Sequence, residues 1–144
     1  MVAPGNPWGI KVLDDLAQDG LQFINRNRGS GTRLWLDKKL QGMGLAWESI
    51  RGYNRETGTH TATAQAVKTR KADAGLGLEA AAKEAGLDFI PLFQERFDLV
   101  LPLERVQDRN VQVILDYLQS REFRRSLEEL GGYESGHSGE ELTP

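Results

Sequence analysis

Residues 21–43 read LQFINRNRGSGTRLWLDKKLQGM. Residues 21–25 are short and apolar, which predicts a strand, and residues 34–43 place apolar side chains at helical spacing. The turn between them, residues 26–33, combines glycines, hydroxyl groups and arginines and holds no acidic side chain. We therefore predict a strand, a turn rich in hydrogen-bond donors and the start of a helix that Gly42 and Gly44 close.

The chemistry of this turn indicates an oxyanion site. The start of a helix presents free backbone N–H groups and a partial positive charge. Glycines let a backbone approach a bound group closely, serine and threonine donate through hydroxyl groups, and arginines add permanent charge. The predicted ligand contacts in this turn are Arg26, Arg28, Gly29, Ser30, Gly31, Thr32 and Arg33. The alternative for the turn is a capped helix whose arginines are solvated. For Arg26, the alternative is an ion pair with Glu79 or another acid.

The composition describes one ordinary globular domain. The chain has 144 residues, of which 39% are hydrophobic and 27% charged, so it is long enough to bury a core. Its net charge of −3 argues against a nucleic-acid-binding or anionic-membrane surface and makes the local arginine cluster more informative. It has no cysteine and no apolar run near the ~20 residues of a membrane span. We expect a binding lobe over residues 1–133 and a frayed polar tail over residues 134–144.

Strands alternate with helices over most of the chain. The predicted strands are residues 2–4, 21–25, 50–53, 72–77, 89–93 and 97–101. The predicted helices are residues 11–17, 34–43, 59–71, 78–85, 108–119 and 120–130, with Thr59 and Ser120 as N-caps. This alternation predicts an α/β fold, a three-layer sandwich with a mainly parallel sheet and C-terminal helices.

Ligands of parallel sheets lie at the carboxyl ends of the strands. Three predicted loops fall there, at residues 26–32, 54–59 and 75–79. They add Tyr53, Thr59, Gly75 and Gly77 to the predicted ligand contacts. A position in the core is the alternative for Tyr53, and His60 is more typical of an ordinary helix-start residue than of a ligand.

The loop Asn25-Arg26-x-Arg28-Gly29-Ser30-Gly31-Thr32-Arg33 resembles the oxyanion loop of type 2 periplasmic-binding-protein folds. More specifically, the chain is similar to the binding-protein-like domain associated with molybdopterin molybdotransferase and with molybdenum-related regulators. The resemblance covers nearly the whole chain, and its other motifs are Pro4-Gly5-Asn6-Pro7-x-Gly9-Ile10, Gly52-Tyr53-x-Arg55-Glu56, Thr59-His60, residues 72–77, residues 97–102, Ser120-Arg121-Glu122-Phe123-Arg124 and Gly131-Gly132-Tyr133.

The resemblance implies the C-terminal lobe of a two-lobed fold, with residues 2–4 and 97–102 as joining strands and the first lobe largely absent. The chain is then a piece trimmed from a longer one. The implied function is binding of a small oxyanion, with molybdate or tungstate favoured, in a cytoplasmic sensing or delivery domain. The implied partners are that anion, the first lobe or an upstream domain of the parent protein, and a second copy in a homodimer. No cofactor, nucleic acid or membrane is implied.

Arg28 stands where phosphate-binding loops of this kind can carry an acidic residue. Arginine cannot accept a proton from a protonated phosphate oxygen, so the site suits a fully deprotonated dianion such as molybdate, tungstate or sulfate. Two alternatives stay open: the effector-binding domain of a transcription regulator, and the substrate lobe of an enzyme with the same fold. The sequence lacks a Gly-x-Ser-x-Gly elbow, a Walker lysine and a metal-spaced histidine pair, so we expect this chain to be neither an enzyme nor a metal-binding protein.

Overall fold

The chain folds into two compact units, Met1–Leu92 and Phe93–Pro144. The computed structural model describes residues 1–142. None of the helices over these residues is long and apolar enough to cross a membrane. The predicted lobe of residues 1–133 includes parts of both units, and its boundary with the tail stays a prediction.

The first unit contains a small parallel sheet. Its strands are β1 (Phe23–Arg26), β2 (Glu56–Thr57) and β3 (Ala74–Gly75), in the order β2-β1-β3. Arg26 pairs with Thr57 on one side of β1, and Ile24 pairs with Gly75 on the other. Because both pairings are parallel, all three strands end at the same edge of the sheet. The predicted α/β class with a parallel sheet is confirmed, and the three-layer arrangement stays a prediction.

The helices of the first unit begin and end at local sequence signals. They are α1 (Gly31–Met43), α2 (His60–Lys68) and α3 (Glu79–Ala85), with 3-10 turns at Leu13–Ala17 and Trp47–Ser49. The hydroxyl oxygens of Ser30 and Thr59 accept hydrogen bonds from the first turns of α1 and α2 and cap them. Gly44 and Gly86 adopt left-handed conformations that end α1 and α3. Four predicted elements thus have counterparts here, although the helix predicted at residues 11–17 is a 3-10 turn at Leu13–Ala17 and α1 begins before residue 34.

The second unit contains two amphipathic helices, α4 (Arg109–Gln119) and α5 (Arg121–Leu130), and a 3-10 turn at Leu103–Arg105. Ser120 lies between the helices, and its hydroxyl oxygen accepts a hydrogen bond from the N–H of Phe123 at 3.1 Å. Gly131 follows α5 with a positive φ of 78°. Both helices were predicted, because their apolar spacing and the serine cap are local signals.

Three predicted strands are wrong. Residues 50–53 form turns, and the second strand of the sheet instead lies at Glu56–Thr57, inside the predicted loop of residues 54–58. Residues 89–93 and 97–101 have no strand assignment. Pro91 lacks the N–H that a ladder needs, and the apolar residues 97–101 have strand propensity but no paired neighbour in their own unit. Val2 does form isolated antiparallel bridges, with Ala74 and with Asp88.

The core of the first unit lies between the sheet and its helices. Leu21 and Phe23 pack with Leu36 and Leu40 of α1 in one buried cluster. A second cluster joins Ala64 of α2 to alanines of α3, where small side chains let the two helices lie close together. This packing fixes β1, α1 and α2 relative to one another, and the ends of these elements carry the site described next.

Candidate anion-binding site

The carboxyl edge of the sheet brings together the loops that the sequence singled out. Arg26 ends β1, Thr57 ends β2 and Gly75 ends β3. The chain then leaves this edge toward the starts of α1, α2 and α3, respectively. As predicted, the loops that carry the hydroxyl groups and glycines therefore start side by side at one edge.

Arg26 is the buried cation of this edge. Its exposed fraction is only 7%. Its guanidinium donates to the carbonyl oxygen of Gly58 at 3.1 Å and to that of Thr57 at 3.4 Å, and its Nη1 lies 2.7 Å from Nε2 of His60. These contacts use three of the five N–H donors of a guanidinium. Burial lowers the pKa of Arg26, but an arginine keeps its charge in a protein.

Arg26 has no carboxylate partner among residues 1–142. The predicted alternative, an ion pair with Glu79, is therefore not formed; Glu79 instead lies exposed in the first turn of α3. A buried charge without a counter-charge is unfavourable, since the loss of hydration is not offset by an ion pair. The edge of the sheet thus holds an uncompensated positive charge.

His60, the first residue of α2, contacts Arg26, although the sequence predicted only an ordinary helix-start residue at this position. Because a guanidinium only donates, Nε2 of His60 must accept, and the ring hydrogen of the neutral imidazole is then on Nδ1. That Nδ1 is buried and has no hydrogen-bond partner in the part of the chain that the structure describes. Burial, and secondarily the charge of Arg26, lowers the pKa of His60. The sequence signal for His60 was its position directly after the N-cap Thr59.

Helix-start donors surround the same edge. Gly29 has a φ of +90°, which allows the tight turn from β1 into α1. Ser30 is the N-cap of α1, and its oxygen accepts from the N–H of Arg33 at 3.2 Å. Gly31 and Thr32 follow in the first turn, where backbone N–H groups lack acceptors within a helix. Thr59 lies in the equivalent capping position of α2.

Arg33 differs from Arg26 because its charge is compensated. Its exposed fraction is 4%, and its guanidinium contacts Asp37 at 2.7 Å and Glu56 at 3.2 Å. The same guanidinium lies 4.3 Å from the ring centroid of Tyr53, whose hydroxyl donates to Asp37. Burial and this hydrogen bond raise the pKa of Tyr53 to about 12. Arg33 and Tyr53, both predicted ligand contacts, are therefore buried and belong to a network with Asp37 and Glu56 that compensates the charge of Arg33.

Of the remaining predicted contacts, one is exposed at the edge of the site and two are glycines at positions of close packing. The side chain of Arg28 is 81% exposed and lies 3.8 Å from Glu56. A Cβ at Gly75 would lie 2.4 Å from Cγ2 of Thr63, so glycine here lets α2 pack against β3. A Cβ at Gly77 would lie 1.8 Å from Cε of Met1 and 3.2 Å from Nδ1 of His60, so glycine here lets the side chain of Met1 pack beside the imidazole. Within residues 1–142 no group of histidine and acidic side chains could hold a metal ion.

His60 should make the stability of the protein depend on pH. Because its folded pKa lies below its ordinary value of 6.5, the unfolded chain binds more protons between these two values, and stability rises with pH there. We expect the free energy of unfolding in anion-free buffer to fall as the pH drops below about 6.5. His60→Gln should reduce this loss and leave the part that comes from the α-amino group of Met1, whose pKa burial lowers from 8.0 to about 6. Denaturant unfolding at several pH values measures it.

His137 supplies the control for this measurement. It is exposed and lies 3.0 Å from Glu140, which raises its pKa. Its contribution to the free energy of unfolding therefore has the opposite sign. This stabilisation is present below the unfolded pKa and is lost as the pH rises through the folded pKa. An acid-side loss of stability that is the same in His60→Gln as in the unmodified protein would contradict the assignment to His60.

The chain matches known proteins over most of its length. A family model described as a PBP superfamily domain matches residues 1–119. The uncharacterized protein YvgK of Bacillus subtilis (strain 168) is 34% identical over 138 residues, which are 96% of this chain and 44% of YvgK. An uncharacterized protein in the 5' region of the ferredoxin 2Fe-2S gene of Clostridium pasteurianum is 36% identical over 109 residues, 75% of this chain and 96% of that protein. The chain thus spans less than half the length of YvgK, and no solved structure matches it.

Proposed function

Because the chain belongs to the PBP superfamily, we propose that it binds a small oxyanion at the carboxyl edge of its sheet. The anion, with molybdate or tungstate favoured, contacts the guanidinium of Arg26 and N–H groups at the starts of α1 and α2. The chain then serves a larger molybdenum-cofactor-related protein of the cytoplasm as a sensing or delivery domain. The partners are the anion, the first lobe or upstream domain of that protein, and a second copy of the chain.

One observation carries this proposal: Arg26 is 7% exposed and has no carboxylate partner among the described residues. A chain that needed Arg26 only for packing would gain by replacing it with an apolar side chain of similar volume. A bound anion supplies the missing counter-charge and accepts hydrogen bonds from the two unused N–H donors of the guanidinium. The network of Arg33 gives the contrast, since a buried arginine with a structural role has its carboxylates beside it.

The charges beside the site favour a fully deprotonated anion. Recognition of a protonated oxygen needs an acceptor, and Glu56 is a carboxylate that contacts the loop. Glu56 is already 3.2 Å from the guanidinium of Arg33 and accepts from the backbone N–H of Arg28. The carboxylate of Glu56 is therefore occupied while the guanidinium of Arg26 has no counter-charge within residues 1–142, which favours molybdate, tungstate and sulfate. The amide oxygen of Asn27, buried and without a partner among the described residues, is a neutral acceptor in the same loop.

Thermal unfolding in the presence of anions tests the proposal. A ligand that binds the folded state alone raises the melting temperature with its concentration. We expect sodium molybdate and tungstate to raise it more than phosphate does, with sodium chloride at matched ionic strength as the reference. Equal melting temperatures in all of these salts would contradict the proposal.

A further inference from the structure

His60 holds a polar atom that the proposed function leaves without a role. Its Nδ1 is buried and unpartnered, while its Nε2 is 2.7 Å from Nη1 of Arg26. A buried N–H without an acceptor is unfavourable and is rare in folded proteins. The side chain of Met1 packs beside this nitrogen, since a Cβ at Gly77 would lie 1.8 Å from Cε of Met1 and 3.2 Å from Nδ1 of His60. The imidazole thus presents an unused donor next to the uncompensated charge of Arg26.

We propose that His60 is the second side-chain ligand of the oxyanion site, and that a dianion binds there together with a proton that His60 takes up. This inference rests on the proposed function, because it concerns the ligand contacts and the charge balance of the same oxyanion site. It makes Arg26 and His60 one binding pair: they contact each other in the structure, and in the anion complex each donates to an oxygen of the anion.

The charge of the site requires the proton. A dianion next to Arg26 has one negative charge that Arg26 does not compensate, and a protonated His60 supplies the second positive charge. Arg26 is the charged group in contact with His60 from β1. Charged groups on the other elements packed against α2 are paired, hydrogen-bonded or exposed. Glu56 of β2 pairs with Arg33, Asp73 before β3 accepts from the N–H of Gln22, and Glu79, Lys83 and Glu84 of α3 are exposed. The α-amino group of Met1 is buried and donates to the carbonyl oxygen of Gly75 at 2.9 Å, and burial lowers its pKa to about 6.

The geometry requires that the ligand replace the direct contact. A protonated imidazole donates from both nitrogens, so Nε2 could no longer accept from Arg26 across 2.7 Å. Two donors at that distance repel each other unless an acceptor separates them. An oxyanion provides that acceptor. Its negative charge also stabilises the protonated imidazole, which burial and the charge of Arg26 otherwise disfavour. Binding and protonation of His60 therefore support each other.

Calorimetric titration with sodium tungstate in two buffers tests this inference. HEPES and Tris at the same pH of about 7.5, roughly one unit above the ordinary pKa of histidine, differ in ionisation enthalpy, so the difference in binding heat counts the protons taken up. We expect an uptake approaching one proton per bound tungstate. His60→Gln keeps a neutral donor and should bind tungstate about tenfold or more weakly with no proton uptake.

The second histidine of the chain is the matched control. His137 is exposed in the tail, so His137→Gln should bind tungstate and take up protons as the unmodified protein does. Nitrogen-15 NMR of the imidazole rings gives a readout independent of heat. For His60 we expect a proton on Nδ1 alone in the free protein and on both nitrogens in the tungstate complex.

The outcomes separate the two proposals. Absence of tungstate binding at the edge of the sheet overturns the proposed function and this inference with it. Tungstate binding without proton uptake, or with the same uptake in His60→Gln, overturns the inference alone and leaves an oxyanion site that uses Arg26 and backbone donors.

Discussion

Arg26→Met should weaken oxyanion binding by about 100-fold or more, which corresponds to about 3 kcal/mol, and should leave the protein as stable as before. The loss of affinity follows because the substitution removes the buried positive charge of the site. The stability is retained because removal of a buried charge without a counter-charge offsets the loss of the contacts that Arg26 makes with Thr57, Gly58 and His60. We expect the free energy of unfolding to change by less than about 1 kcal/mol or to rise.

Calorimetry with tungstate and denaturant unfolding measure the two halves of this prediction. Arg51→Met is the matched control, because its side chain is exposed and its backbone oxygen accepts from the N–H of Phe23, at the other end of β1. That variant should bind and unfold like the unmodified protein. Undiminished binding by Arg26→Met would show that Arg26 does not contact the anion. A large loss of stability would show that Arg26 has a structural role.

Arg33→Met should lower the free energy of unfolding by about 2–3 kcal/mol. The substitution leaves Asp37 and Glu56 without their shared cation and removes the guanidinium from the face of Tyr53. The expected loss is below that of a fully buried ion pair, because the side chains of Asp37 and Glu56 are 43% and 32% exposed and water screens their charges.

The midpoint of denaturant unfolding measures this effect, again with Arg51→Met as the control for loss of an arginine. The two buried arginines should therefore respond in opposite ways: Arg26→Met loses binding and keeps stability, whereas Arg33→Met loses stability. A stable Arg33→Met protein would contradict the structural role of the network around Arg33.

The helices could be predicted because their signals are local. Ser30 and Thr59 cap the helices that follow them, and Gly44 and Gly86 end two helices in left-handed conformations that glycine adopts readily. The strands could not be placed as well, because pairing depends on distant residues. Strand β2 consists of Glu56 and Thr57, which carry no apolar signal and become a strand only by pairing with β1.

The donors of the candidate site could be predicted, but not which arginine remains uncompensated. Arg26 and Arg33 have the same chemistry in the sequence. Arg33 pairs with Asp37, four residues later on α1, which is a local signal, and with the distant Glu56, 23 residues later. The role of His60 depends likewise on a contact with Arg26 across 34 positions of the chain. Such long-range contacts follow from the fold and leave no local pattern.

Calorimetric titration of the protein with molybdate, tungstate, sulfate and phosphate tests whether an anion binds next to the buried charge of Arg26. We predict saturable heat at one site with the fully deprotonated anions, retained in Arg51→Met and lost in Arg26→Met. Absence of binding heat with all four anions, or equal heat in Arg26→Met, would contradict an oxyanion site at this edge of the sheet.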